Sequence, residues 1–457
     1  MVNQADSRWI GSKVMPSGQL KKNERASLRA WRRRDFITGI GGATALTLAP
    51  GFLTGCASIS TARRTTRRKS VAVIATVVRK HSHAQHFIDR LLEGYGWQGQ
   101  WYHPSTYLVS LYVDQFPEDD LARERAKRFN VPIYKTVEEA LTRGGSKLAV
   151  DGVLLIGEHG KYPKNEIGQT LYPRYKWFKE VVKVFENNGR SVPVFNDKHP
   201  STSWREAFEM VEDSKRLNFP FMAGSSLPVT WRIPSIDMPI NTPLVESVCI
   251  CYGGIDSYDF HGLETAQCMS ERRNGGEVGV RSIHAMRGTQ MWDALEQRES
   301  TAKLFLSALT RSHTVRPPAG FTIARPSIAW ARKASSDAVG YFIEHNDGFR
   351  TSVFVCNGLI QDFTYAGLKK DGEVLSCQMH LPMPLHIATT ADFFNPLINH
   401  IERMVMDNHV PYPVERTLLT TGMTAFAVAS LAEGTPIETP GMKVKYQPTA
   451  ASTYWRL

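Results

Sequence analysis

The chain has 457 residues, 42% hydrophobic and 22% charged, which suits a folded soluble protein with room for two domains and excludes a disordered or fibrous one. Its formal net charge of +11 sits in the head: residues 1–70 carry 14 of the 55 Lys/Arg but 3 of the 44 Asp/Glu, which leaves 41 of each sign in the body. A neutral body lacks the basic footprint that nucleic-acid binding needs, so that class of partner is excluded.

The head reads as an export signal. In "WRRRDFI", Arg33 and Arg34 stand just before Phe36, a short apolar run rich in Gly and Ala comes next, and "LTGC" closes it at 53–56. This is the pattern of a twin-arginine signal with a lipobox, in which Cys56 becomes the acylated N-terminus; the alternative is an uncleaved anchor or a misassigned start. The run is too short and Gly-rich for a stable spanning helix. The expected organisation is 1–56 as signal, 57–70 as basic linker, 71–228 as a first domain and 229–457 as a second. The mature chain is expected to be periplasmic or at the cell surface, tethered to the membrane by its lipid. "TARRTTRRK" at 61–69 adds attraction to anionic headgroups.

From residue 71 onward, strands and helices alternate. Residues 71–74 read as a buried strand, 84–92 as the helix after it and 107–114 as a second strand. "DDLARERAKRFNV" is a helix, "PIY" a short strand, "TVEEALTRG" a helix and 151–157 a fourth strand. "YPRYKWFKEVVKVFENNGR" has a 3.6 period and stops at Gly189. Residues 192–197 form a fifth strand, and Ser203 is placed to cap the helix of "SWREAFEMVEDSKRLN". The alternation predicts an α/β chain that begins with a Rossmann-like, doubly wound parallel sheet. Beyond Pro228 longer apolar strands, among them "ESVCICYGG", "VGVRSIHAM" and "TSVFVCNG", predict an α+β domain with a large, open, mostly antiparallel sheet. Cys249, Cys251, Cys268, Cys356 and Cys377 have no paired spacing. Cys249 and Cys251 share a strand face without the CxxC spacing, so they read as buried thiols.

The turn after the first strand poses the main question. A dinucleotide fold uses glycines there for a tight turn and close approach of backbone to pyrophosphate. At those three spacings stand Ala75, Val77 and Lys80, and the Val77 side chain is expected to intrude where the pyrophosphate sits. Asp114, ending the second strand, is either in the ribose-binding place or an ordinary strand-end carboxylate. Four groups bring imidazoles together with carboxylates or with each other: His81 with His83, Glu158 with His159, Asp197 with His199, and Asp259 with His261. In an open α/β sheet the first three converge beyond the carboxyl ends of the strands, and the fourth reaches over from the second domain. Such groups suit acid–base work or a borderline metal such as zinc, or else each His serves its own loop. Arg272 and Arg273 offer charge to an acidic substrate, while Tyr162, Tyr172 and Arg174 offer stacking to a sugar or simple surface packing.

The order of these pieces resembles the glucose–fructose oxidoreductase, inositol dehydrogenase and rhizopine-catabolism (Gfo/Idh/MocA) family. "ERAKRFNVPIYKTVEEAL" looks like its helix–strand–helix before the fourth strand, and "DGVLLIG" like its D-x-V-x-I strand. "VPVFNDKHPSTSWREAFEMVEDSKRLNFPFMAGSSLPVTWR" looks like its E-K-P strand, the next helix and strand, and a closing Arg. "NPLINHIERMVMDNHVPYPVE" and "AVASLAEGTPIE" look like its last helices. The resemblance implies oxidation or reduction of a sugar, cyclitol or related hydroxyl with NAD or NADP, at a dinucleotide site that has lost its glycines. It also implies a carbohydrate-like substrate and a homo-oligomer built through the open sheet. Lys198 is carried over from E-K-P, with Asp197 in place of the Glu and His199 inserted before Pro200. His261 looks like the family's substrate-site His, but Ser257 stands where a carboxylate is usual, which leaves Asp256 or Asp259 to orient the ring. Ala75, Val77, Asp114, Glu158 and Lys198 are thus expected along the cofactor, and Lys198, His261 and Asp259 at the reacting carbon; no metal is assigned. A cofactor-free carbohydrate-binding protein and a metal-dependent lyase or hydrolase are the alternatives on the same fold.

Overall fold

The first strand, β1 (Lys69–Ala75), is buried from Ser70 onward and forms the centre of a parallel sheet, as its run of Val, Ala and Ile on both faces requires. The computed structural model describes residues 68–323, 325–382 and 390–454; the export signal and Cys56 lie outside the described residues. The described residues belong to one compact unit. After β1 come α1 (His83–Glu93), a hairpin of β2 (Tyr95–Trp97) and β3 (Gln100–Tyr102), β4 (Thr106–Val113), α2 (Ala122–Phe129), β5 (Ile133–Tyr134) and α3 (Val137–Thr142). Next are β6 (Gly152–Ile156), α4 (Arg174–Asn188), β7 (Val194–Asp197), α5 (Trp204–Arg216) and β8 (Phe221–Gly224). The strand order β5-β4-β1-β6-β7-β8, parallel throughout, is the doubly wound arrangement, with its switch point at β1. Ser203 caps α5 by accepting from the Glu206 amide, and Gly189 ends α4 at φ +57°, both as the sequence predicts. The β2–β3 hairpin is an element that the sequence pattern does not predict.

The second sheet lies within the same unit. It contains β9 (Arg232–Ile233), β10 (Leu244–Cys251), β11 (Val280–Arg287), β12 (Val339–His345), β13 (Arg350–Val355), β14 (Phe363–Lys369), β15 (Val374–Met379) and β16 (Ile437–Glu438). Its order is β16-β11-β12-β13-β10-β14-β15-β9; every pair is antiparallel except β10 with β13. The helices of this half are α6 (Tyr258–Ser270), α7 (Gly288–Glu296), α8 (Glu299–Leu309), α9 (Ile328–Ala334), α10 (Asn395–Asp407) and α11 (Glu415–Glu433). Residues Asp259 to Ser270 of α6 are buried on every side, which marks it as a core helix, packed between the sheet and α11. One hydrophobic core runs through both sheets, so the change of sheet near residue 228 is not a break in packing. The five described cysteines are free and buried, Cys249 and Cys251 together on β10. Among the described residues, no helix is long and apolar enough to cross a membrane.

Candidate functional site

Beyond the carboxyl ends of β1, β6 and β7 the chain makes three connections, short after β1 and β7 and long after β6, and Thr76 ties the first two by donating to the Glu158 carbonyl at 2.5 Å. Glu158 and His159 come after β6, Lys198 and His199 after β7, and both His159 (φ +68°) and Lys198 (φ +64°) are left-handed. A non-glycine residue pays strain to hold that backbone, and two of them side by side at strand ends are a common mark of a working site. The Lys198 backbone is held by its amide donating to the Gly224 carbonyl at 3.1 Å, beside the last strand of the sheet. Its ammonium is buried, 3.6 Å from Glu158 Oε1, and donates to the Ser257 carbonyl at 3.3 Å.

Arg174 fixes the floor. It is 2% exposed and donates to three acceptors: Gly157 O at 2.7 Å, His199 O at 2.7 Å and Glu158 Oε2 at 2.9 Å. One guanidinium therefore clamps the ends of β6 and β7 together, and the surface or sugar-stacking role read for it from sequence gives way to this buried one. Burial works to raise the Glu158 pKa, but Lys198 and Arg174 together hold its carboxyl well below the usual range.

The second half supplies His261 from α6. Its Nδ1 lies 3.0 Å from Ser225 Oγ and 3.2 Å from Glu264 Oε2, and Ser225 also donates its hydroxyl to Glu264 and its amide to Glu264 Oε1 at 2.9 Å. The carboxylate behind the ring is therefore Glu264, one helical turn along α6. Asp259 does not serve His261: its Oδ1 accepts from the Ser257 and Phe260 amides at 2.9 and 2.8 Å, and its Oδ2 from Tyr341 at 2.8 Å. Asp259 thus fastens the start of α6, and Asp256 accepts from Gln169 at 2.9 Å. Burial, and then the charge of Lys198, push the His261 pKa well below its ordinary value, so the ring stays neutral, and burial raises Glu264 to about 7.

The remaining imidazoles divide. His83 opens α1 and its Nδ1 lies 2.7 Å from Asp197 Oδ2, with the His159 ring edge-on at 5.5 Å. His81 is exposed and away from this group, its amide bonded to Gln85 at 2.6 Å. His199 is buried with neither ring nitrogen hydrogen-bonded, and Nε2 is 3.7 Å from Asp256 Oδ1. Its pKa lies well below the ordinary value, first through burial and then through Arg174. His159 Nε2 and Asp197 Oδ1 are likewise buried without a partner, an unusual density of unmet polar atoms for one place. Among the described residues, no group of three or more His, Cys, Asp or Glu is arranged to hold a metal ion.

Along the switch point, a groove of about 310 Å³ is lined by Val77, Arg79, Gln115 and Lys161 among others. Its residues fit an anionic, ribose-bearing ligand such as NAD(P): Arg79 and Lys161 bring positive charge and Asp114 stands exposed at the end of β4. Tyr112 and Tyr162 donate to the two Asp114 oxygens at 2.8 and 2.6 Å, and each oxygen keeps a lone pair for a ribose hydroxyl. Ala75 is buried at the end of β1. Val77 is 2% exposed and lies against the loop after β6, where a Cβ on Gly160 would come within 3.4 Å of its Cγ1. Arg272 and Arg273 are not near this groove's chemistry: Arg273 pairs with Glu277 at 2.8 Å, and Arg272 donates to the Met238 carbonyl at 2.5 Å.

No family model and no curated protein matches the chain. Solved structures similar to it include GenD2 from gentamicin A biosynthesis in complex with NAD, at 11% identity over 82% of this chain and 97% of that one, TM-score 0.48. A myo-inositol dehydrogenase from Corynebacterium glutamicum is similar at 10% identity over 81% and 98%, TM-score 0.47. The apo scyllo-inositol dehydrogenase from Lactobacillus casei is similar at 8% identity over 82% and 99%, TM-score 0.49.

Proposed function

We propose that the chain is an exported, lipid-tethered oxidoreductase of the Gfo/Idh/MocA type that acts on a hydroxyl or keto group of a sugar or cyclitol, with NAD(P) in the groove beside β1. The observation that carries this reading is Lys198, a buried ammonium at the end of a parallel strand that donates to the Ser257 carbonyl at the start of the helix carrying His261, the imidazole braced by Glu264. Lys198 binds the reacting oxygen and stabilises its negative charge. His261 Nδ1 is committed to Ser225 and Glu264, so Nε2 is the atom that takes the hydroxyl proton. Arg79, Lys161 and Asp114 would hold the phosphates and ribose of NAD(P), which would supply hydride exchange at the carbon that bears that oxygen.

The test begins with protein matured through the cytoplasm: on denaturation it releases dinucleotide, and Lys198→Ala abolishes turnover, with thermal unfolding run beside it because buried Glu158 loses one of its two cations. His261→Asn removes the rate while substrate affinity is kept. Activity of Lys198→Ala within a few-fold of wild type would overturn the assignment of that residue. Blocking lipoprotein processing shifts the mature mass if Cys56 is acylated; an unchanged mass removes the tether.

A second reading, a cofactor-free protein acting on or binding carbohydrate, is favoured by Val77. Val77 stands at the middle glycine spacing with a β-branched side chain, packed against the loop after β6, and Tyr162 already bonds Asp114. Val77→Gly leaves dinucleotide affinity unchanged or improves it on the first reading. A clean apo protein with no measurable affinity selects the second.

A further inference from the structure

The pair formed by His83 and Asp197 is not used by the hydroxyl oxidation proposed above. His83 is placed by the Ser82 cap of α1, and its Nδ1–H donates to Asp197 at 2.7 Å, which commits that nitrogen and leaves Nε2 as a base with no partner among the described residues. The ring is fixed in plane: His159 stands edge-on at 5.5 Å and Phe394 at 5.3 Å between centroids. Two imidazoles, each backed by a carboxylate, are thus delivered by α1 of the first sheet and α6 of the second: His83 to Asp197, the residue before Lys198, and His261 to Glu264, on the helix whose first turn Lys198 holds through the Ser257 carbonyl. Oxidation of one hydroxyl moves one proton and needs one base. The second imidazole is equipment for a second proton.

We propose that His83 is a further catalytic base and that, with Lys198, it catalyses cofactor-independent proton exchange at the carbon next to a carbonyl of a keto-sugar or keto-cyclitol. His83 Nε2 takes the proton as the C–H bond breaks. The C–H electron pair becomes the C=C bond of the enolate, and the carbonyl π pair moves onto oxygen, where the Lys198 ammonium balances the charge. The imidazolium is balanced by Asp197; it trades its proton with water and returns one to carbon. No electron leaves the substrate and no oxidant is needed. The inference rests on the reading that Lys198 meets the substrate oxygen, and is independent of the dinucleotide.

The experiment incubates the full-length protein, without added nicotinamide, with 2-keto-myo-inositol or a 3-keto-hexose in D2O and tracks the α-proton by NMR. Wild type should exchange it faster than buffer. His83→Gln should slow exchange by about 100-fold or more, the usual worth of a positioned base, and Asp197→Asn, which keeps the hydrogen bond but not the charge, should slow it less. His81→Gln, at an exposed ring away from this group, should exchange within a few-fold of wild type, which ties the loss to the ring that Asp197 holds. Thermal unfolding identifies any variant that has lost its fold, and Asp197→Asn then carries the comparison. Exchange by folded His83→Gln at the wild-type rate overturns the proposal, as does a wild type that exchanges neither probe. If dinucleotide-linked turnover survives that second result, the oxidoreductase reading stands alone; if exchange occurs in a protein that binds no dinucleotide, the reverse holds.

Discussion

Replacing Arg174 by Met keeps most of the side-chain volume and removes the guanidinium that joins the ends of β6 and β7. Three acceptors lose their donor at once: the carbonyls of Gly157 and His199 and the Glu158 carboxylate. Glu158 is left with Lys198 at 3.6 Å as its ion-pair partner. Breaking a buried ion pair from one side costs about 3–5 kcal/mol, and each stranded carbonyl about 1–3 kcal/mol, terms that overlap and do not add. The expected loss is therefore roughly 3–5 kcal/mol, read as a shift of the denaturant midpoint by tryptophan fluorescence. The pH dependence gives an independent check. Burial opposes ionisation of Glu158, yet Lys198 and Arg174 hold its folded pKa well below the usual range. A depressed folded pKa supplies stability that is present above the unfolded value of about 4.3 and is lost as pH falls towards the folded value. Wild type should accordingly lose more stability on acidification below about pH 4.3 than Arg174→Met, in which one of the two cations is gone. A loss below about 1 kcal/mol at neutral pH, the worth of an exposed pair, would refute the clamp.

Gly224 sits at φ +115°, and a Cβ there would lie 2.6 Å from Glu264 Oε1, so Gly224→Ala should cost stability by about 1–3 kcal/mol and lower activity through His261; unchanged melting would contradict the close approach. Burial raises Glu264 to about 7, so its contribution to stability is complete below the unfolded value of about 4.3 and is lost as pH rises towards 7. Glu264→Gln should flatten that decline, as measured by unfolding between pH 4 and pH 8, and a parallel decline would show the carboxyl to be ionised throughout. Cys249, Cys251, Cys268, Cys356 and Cys377 are buried with thiol pKa values raised by that burial, so an aromatic disulfide reagent should label them only after denaturation.

Much of the first sheet is legible in the sequence because parallel strands buried on both faces write themselves as unbroken apolar runs, and because Ser203 and Gly189 are local punctuation. The hairpin from Tyr95 to Tyr102 is not, since three-residue strands with glycines between them carry no periodicity. At the site, the sequence alone points to Asp256 or Asp259 as the carboxylate behind His261. Those positions are five and two residues before it, whereas on a helix the neighbours that share a face are three or four away, which is where Glu264 stands. Treating "YDFHGLE" as one helix is the signal that finds it. Arg174 is hidden for another reason: a charged residue at the start of an amphipathic helix reads as solvent-facing, and only the meeting of two strand ends over it makes a buried position. His83 and Asp197, 114 residues apart, are joined by sheet topology alone.

The segment that passes from the first sheet to the second is itself part of the site. Ser225, Ser226, Leu227, Val229 and Thr230 are all buried, and Ser225 holds Glu264 through both its amide and its hydroxyl. Thr417 of α11 donates to the Ala223 carbonyl at 2.7 Å, and Thr230 to that of His380 at 2.9 Å. A connection pinned at this density cannot act as a hinge, because a swing of one sheet against the other would have to break the same bonds that aim His261. Ligand traffic is then expected to use local motions of side chains and surface loops rather than a swing of one half against the other, and the scattering profile of the protein in solution should be the same with the cleft empty and filled.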